Sequence, residues 1–118
     1  MKVRSLTLAL LTALVALSFA PVASPTGAAP SATTVTVTMK EFKFVLSKKT
    51  VRHGTVTFKL VNKGKLPHDF KIAGKKSPLV GKGKTRTFKV KLAAGVKPYV
   101  CTLAGHAAAG MKGKLKVT

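Results

Sequence analysis

The stretch TVTFKLVNKGKLPHDFKI, residues 55–72, contains two segments in which apolar and polar residues alternate, separated by a polar turn. Val56, Phe58 and Leu60 share one face of the first segment, because successive side chains of a strand point to opposite faces. Asparagine, glycine and proline between the segments are typical of a loop. The stretch therefore predicts two half-buried β-strands joined by a short connection.

The same alternation recurs along the chain after residue 32. The further segments are TTVTVTM (33–39), FKF (42–44), TRTFKVKL (85–92), YVC (99–101) and KGKLKVT (112–118). None of this region shows a convincing helical period. About seven short strands at this spacing predict an all-β fold, a Greek-key β-sandwich or barrel with antiparallel pairing. The phenylalanines fall in the phase of the predicted core.

The N-terminal region has the pattern of an export signal. Lys2 and Arg4 precede an apolar run from Leu6 to Ala20, which is shorter than a usual membrane span of about 20 apolar residues. We expect a signal peptide over residues 1–20, a linker over 21–32 with cleavage between 20 and 32, and one domain over 33–118. Since residues 21–32, directly after the run, contain no cysteine, a lipoprotein is not expected.

The chain is strongly basic, with 22 Lys and Arg residues against two acidic ones. Most lysines alternate with apolar residues, so they are expected on the solvent face of strands. Specific nucleic-acid binding is disfavoured, because it usually needs exposed aromatic side chains and arginines. After residue 32 only Arg52 and Arg86 remain as arginines. The charge instead predicts acidic partner proteins or an anionic envelope surface.

The single cysteine, Cys101, lies in the pattern C-x4-H-x4-M together with His106 and Met111. Thiolate and thioether favour a soft or borderline metal such as copper, and methionine is not a usual zinc ligand. Two histidines, one cysteine and a weak axial methionine form a blue copper centre. His68 is available as the second histidine. Taken singly, each residue could be core filler or a surface histidine, whereas the four together favour a metal site.

These motifs carry a family resemblance. TVTFKLVNKGKLPHDFKI followed by YVCTLAGHAAAGMKGKLKV resembles the cupredoxins, the type 1 blue copper proteins that include plastocyanin and azurin. The interval between cysteine and histidine is closest to that of auracyanin and rusticyanin, and the resemblance extends over residues 33–118. It implies one mononuclear type 1 copper ion with His68, Cys101, His106 and Met111 as metal ligands.

The resemblance also implies roles for neighbouring residues. Asp69 stands where the family often has asparagine, and with Thr102 it would join the two ligand loops by hydrogen bonds. A backbone N–H beside His68 would point at the cysteine sulfur. His106 would be the exit point for electrons, surrounded by Leu66, Pro67 and the alanines 107–109. His53 has no partner in the motif, and we expect it to be a turn residue outside the site.

The predicted function is that of an exported, periplasmic, cell-envelope or secreted electron carrier that acts on redox partner proteins, as a monomer. The alternative is an extracytoplasmic protein for copper transport or sequestration. An enzyme is not expected, because oxidases and nitrite reductases with this fold use more histidines and further domains, and a binuclear centre needs two cysteines. A Cys-His nucleophile would also need a substrate cleft.

Overall fold

The computed structural model describes residues 33–118, together with residues 13, 15, 16 and 18. The predicted signal peptide and linker, residues 1–32, lie outside the described residues except at those four positions. Within the described residues, no helix has the length and apolar character needed to cross a membrane.

The described chain forms nine strands in two sheets, as the alternating pattern predicts for an all-β sandwich. They are β1 (Thr33–Lys40), β2 (Lys43–Leu46), β3 (Thr50–Val51), β4 (Gly54–Asn62), β5 (Lys71–Ile72), β6 (Lys75–Lys76), β7 (Thr85–Leu92), β8 (Gly95–Val100) and β9 (Lys112–Val117). Three of them have only two residues, too few to show an alternation. The number therefore exceeds the expected seven.

The sheets have the strand orders β2-β1-β4-β7 and β3-β9-β8-β5-β6. Most neighbouring strands are antiparallel, but β1 pairs with β4 and β3 pairs with β9 in parallel. The expected wholly antiparallel pairing is wrong for these two pairs. Parallel partners need a crossover between them, and the chain makes the first crossover through β2 and β3.

The core lies between the sheets and is built from the apolar phase of the strands. Val35, Val37 and Met39 on β1 are fully buried and adjoin Phe58 and Leu60 on β4. The second sheet adds Ile72, Leu115 and Val117, with Phe70 from the preceding loop. Threonines and lysines alternate with these residues on the outer faces, which explains most of the basic composition.

Candidate metal centre

The sheet register brings two predicted ligand segments to one end of the sandwich. Lys71, at the start of β5, pairs antiparallel with Val100, at the end of β8. The residues just before β5 therefore lie beside those just after β8. His68 precedes β5 and Cys101 follows β8, so the loops that carry them meet. The turn between β1 and β2 reaches the same end, because β1 runs parallel to β4.

The loop before His68 is held by the buried side chain of Asn62. Its amide donates to the carbonyls of Leu66 and Val80, at 2.8 and 2.9 Å, and its oxygen accepts from the Gly64 N–H at 2.9 Å. His68 and Val80 also exchange backbone hydrogen bonds of 3.0 and 2.8 Å. The His68 backbone is thus fixed from both sides, and its imidazole is fully buried.

The loop between β8 and β9 carries the other three predicted ligands and is closed by its own backbone. The Cys101 N–H donates to the Met111 carbonyl at 3.0 Å, and the Met111 N–H donates to the His106 carbonyl at 3.1 Å. Gly110 has φ of 121°, a conformation that L residues avoid and glycine adopts without strain. The loop therefore folds back on itself and brings Met111 beside Cys101.

The side chains of three predicted ligands, His68, Cys101 and His106, converge. His68 Nδ1 lies 3.1 Å from His106 Nδ1, and Cys101 Sγ lies 3.6 Å from the same nitrogen. One ligand atom from each of the three residues falls within 4.8 Å of the others, a separation compatible with a shared metal ion. His53 lies outside this cluster, where its Nδ1 is 3.0 Å from the Thr118 carbonyl oxygen.

These separations and donor types fit a type 1 copper ion. Nitrogen and sulfur atoms 3.1 and 3.6 Å apart can share one metal ion, since bonds from a metal to such atoms are about 2.0–2.3 Å long in protein zinc sites. The Met111 side chain is fully buried and adds a soft thioether to the donor set. Two imidazoles, a thiolate and a thioether are the set expected for blue copper.

Burial shifts the pKa of two of the predicted ligands, His68 and Cys101. It lowers the pKa of His68, so that the ring is neutral and can bind a metal at neutral pH. Burial raises the pKa of Cys101, whereas hydrogen bonding from the backbone N–H groups of Asp69 and Leu103 acts in the opposite direction. The N–H of the residue after His68 thus favours the thiolate, the role implied by the resemblance. The cysteine side chain is buried and forms no disulfide.

His106 lies at the exposed edge of the cluster. Its ring is only half-buried and contacts Phe42 edge-on, with ring centroids 5.0 Å apart. Phe42 was expected in the core but is 38% exposed, because it lies in the turn between β1 and β2 rather than on a strand. Leu66 is also exposed, as are the adjoining Pro67 and the alanines 108 and 109.

Glu41, like Phe42, lies at the site although the sequence motifs do not indicate it. Its Oε1 lies 3.3 Å from His68 Nε2. The signal available in the sequence is composition, since Glu41 is one of only two acidic residues in a chain with formal charge +20. It is far from the ligand motifs in sequence, and only the parallel pairing of β1 and β4 brings it to them.

Solved structures with a similar fold include two auracyanins, amicyanin, and chains of a blue copper oxidase and a multicopper oxidase. Auracyanin B superposes with a TM-score of 0.66 at 20% identity, over 74% of this chain and 89% of that chain. Dithionite-reduced auracyanin from the photosynthetic bacterium Roseiflexus castenholzii gives 0.61 at 21% identity, over 74% and 98%. A reduced mutant of amicyanin gives 0.54 at 27% identity, over 72% and 82%. No curated protein matches the sequence.

The family model agrees with the two-sheet architecture and with the motif resemblance. The model described as Cupredoxin-like domain matches residues 7–117, nearly the whole sequence. The chain belongs to the cupredoxin-like domain family.

Proposed function

We propose that this protein binds one copper ion through His68, Cys101, His106 and Met111 and carries single electrons between redox partner proteins. The observation that carries the proposal is the convergence of two imidazole Nδ1 atoms and one thiol sulfur beside a buried methionine. Copper would supply the one-electron couple between Cu(II) and Cu(I). The protein supplies a donor set that suits both oxidation states.

The surroundings of the cluster support electron transfer more than copper delivery. His68, Cys101 and Met111 are each at most 1% exposed, so a partner cannot reach these ligands to take the metal. The hydrogen bonds that close both ligand loops also limit movement between oxidation states. Only the half-buried His106 reaches the edge, where Phe42 and Leu66 offer an apolar contact for a redox partner.

The test is the visible absorption of the purified domain after addition of Cu(II), beside a Cys101→Ser variant. We expect an intense blue band in the parent that is absent in the variant, since the band arises from charge transfer between thiolate and copper. Reversible oxidation and reduction with the metal retained would then establish a carrier. A colourless parent would overturn the copper site. A parent that releases Cu(I) to a chelator on reduction would instead indicate copper transport or sequestration.

Export of the domain is part of the proposal. Residues 1–20 would direct secretion and residues 21–32 would link or precede the mature domain, as their composition indicates. Cell fractionation and mass determination of the mature N-terminus test this point. A protein that remains in the cytoplasm with residues 1–20 attached would contradict it.

The charge distribution supports partners that are acidic proteins or an anionic envelope surface. Lysines on β9, Lys112, Lys114 and Lys116, are exposed along one strand, and Lys89 and Lys91 are exposed on β7 of the other sheet. A field of one sign raises the rate of encounter with opposite charge. It also opposes self-association, and we expect a monomer in solution, which sedimentation would test.

A further inference from the structure

Both acidic residues of the chain lie at the metal centre. Asp69 follows His68 directly, and its carboxylate accepts hydrogen bonds from Thr102, the residue after Cys101. Glu41 comes from a different part of the sequence, the turn after β1, and also contacts His68. In a chain with 22 Lys and Arg residues, carboxylates placed at random would mostly face lysines on the surface. Their shared position suggests a role at the centre.

The carboxylate of Glu41 forms three contacts through one oxygen. Oε1 accepts hydrogen bonds from the backbone N–H groups of Lys65 and Leu66, at 2.6 and 2.7 Å. The same oxygen lies 3.3 Å from Nε2 of His68. The two backbone groups belong to the loop that leads into His68. Glu41 therefore contacts both the ligand ring and the segment that positions it.

The two nitrogens of His68 face different groups. Nε2 faces the Glu41 carboxylate, whereas Nδ1 faces His106 Nδ1 and the ligand cluster. An ionised carboxylate can only accept a hydrogen bond, so Nε2 must carry the proton in this contact. In a neutral imidazole the other nitrogen then presents a lone pair. The contact with Glu41 selects the tautomer in which Nδ1 can bind a metal.

We propose that Glu41 is the positioning residue of the metal centre. Its carboxylate holds the His68 ring in the Nε2–H tautomer and links the ring to the backbone of Lys65 and Leu66. The identity of the metal in this proposal rests on the proposed function. The contact between Glu41 and His68 is present without a metal. Glu41 is not itself a predicted ligand: it acts through the His68 ring, through the loop that leads to His68, and through its charge.

The packing around Gly64 indicates that this part of the site is shaped around the carboxylate. A Cβ at Gly64 would lie 2.5 Å from Glu41 Oε1 and 2.7 Å from Oε2. Separations below about 3 Å are too short for non-bonded atoms, so a side chain here must displace the carboxylate. Gly64→Ala should therefore displace Oε1, the oxygen that contacts His68, without removing the charge of Glu41. This variant complements the substitutions of Glu41 itself.

The first experiment uses the metal-free protein. Long-range nitrogen–proton NMR correlations of the imidazole rings report which ring nitrogen carries the proton. We expect the Nε2–H tautomer of His68 in the parent and loss of that single tautomer in Glu41→Ala and Gly64→Ala. Glu41→Gln should largely retain it, because an amide oxygen can still accept the proton of Nε2.

The second experiment measures Cu(II) affinity by chelator competition and the reduction potential of the loaded protein. We expect Glu41→Ala and Gly64→Ala to weaken Cu(II) binding about 10- to 100-fold, the usual effect of removing a group that orients a histidine ligand. Glu41→Gln should weaken Cu(II) binding less than Glu41→Ala. The reduction potential of the loaded Glu41→Gln protein should rise, because a negative charge that favours Cu(II) has been removed. Thr34→Lys is the matched control, since it adds the same unit of positive charge at the exposed far end of β1.

The outcomes separate this proposal from the copper function. An unchanged His68 tautomer together with Cu(II) affinity within threefold of the parent, in Glu41→Ala and Gly64→Ala, overturns the positioning role. A change in Thr34→Lys equal to that in Glu41→Gln also overturns it, because overall charge would then explain the effect. If the parent binds no Cu(II) but the tautomer depends on Glu41, the copper function fails and the positioning role stands. Should Glu41→Ala not fold, Gly64→Ala and Glu41→Gln decide the question.

Discussion

The carboxylate of Asp69 accepts hydrogen bonds from both the backbone N–H and the hydroxyl group of Thr102, the former at 2.6 Å. Each residue directly follows a predicted metal ligand, so the pair joins the two ligand loops. The family often has asparagine at this position, but both Thr102 groups are donors here, and a carboxylate suits two donors. The Lys76 ammonium group lies 3.7 Å from Asp69 Oδ2, the oxygen that accepts from the Thr102 hydroxyl group, and adds a favourable charge.

Asp69→Ala is expected to reduce the free energy of unfolding of the metal-free domain by about 1–3 kcal/mol, because the Thr102 N–H loses its acceptor in a partly buried position. Thr102→Val removes only the hydroxyl donor and should cost less. Urea denaturation followed by circular dichroism measures both. Equal losses in the two variants would show that the backbone hydrogen bond contributes nothing.

Gly113→Ala is expected to destabilise the domain by about 1–3 kcal/mol, the usual cost of overpacking. Gly113 pairs with Tyr99 across β8 and β9, and an added Cβ would collide with the tyrosine ring and hydroxyl group. That ring stacks on Phe70, with centroids 5.3 Å apart, so it cannot move freely.

Gly81→Ala is the matched control for this overpacking test. A Cβ there would meet only Lys84 Cγ, at an ordinary 3.6 Å. Thermal unfolding of both variants gives the comparison. Equal stability of Gly113→Ala and Gly81→Ala would contradict the packing described for Tyr99.

Alkaline pH should destabilise the metal-free domain. Burial raises the pKa of the Tyr99 phenol above its ordinary value of 10.0 and that of the Cys101 thiol above 9.0. The unfolded chain therefore loses these protons at lower pH than the folded one, and stability falls as pH rises through 9 and then 10. Tyr99→Phe should reduce the upper part of this decline and Cys101→Ala the lower part. Denaturation series between pH 7 and 11 test both, and identical slopes in all three proteins would refute the assignment.

Salt should slow reactions of the copper-loaded protein with anions. The screening length falls from about 30 Å at 0.01 M salt to about 8 Å at 0.15 M, so attraction by the exposed lysines is lost over this range. We expect the rate constant for reduction by an anionic small molecule to fall as salt rises. A neutral reductant is the control. The same salt dependence for both reagents would show that the charge does not steer encounter.

The alternating pattern of the sequence was sufficient to predict the fold class and most of the core residues. Val35, Phe58 and Leu115 are buried where the two-residue period places them. The parallel pairing of β1 with β4 was not predictable, since alternation defines faces and carries no information on which strands are neighbours.

Because the sequence does not show which strands are neighbours, only part of the site could be predicted. Cys101, His106 and Met111 lie in one loop, where spacing is informative, and His68 follows a recognisable motif. Glu41 and Phe42 reach the cluster only through the arrangement of strands, and the sequence analysis assigned neither of them to the site. Phe42 was even assigned to the core, because FKF has the period of a strand although the chain turns at its first residue.

The use of both carboxylates at one end of the sandwich leaves the cations elsewhere without acidic partners. Within residues 33–118, the two acidic side chains contact the neutral His68 ring and one cation, Lys76. Lys40 faces Lys43, and Lys71 faces Lys76, across neighbouring strands, where like charges repel. This repulsion is present in the folded chain and weakens when ions screen it. Added salt should therefore make the domain harder to unfold while it weakens attraction to negatively charged molecules.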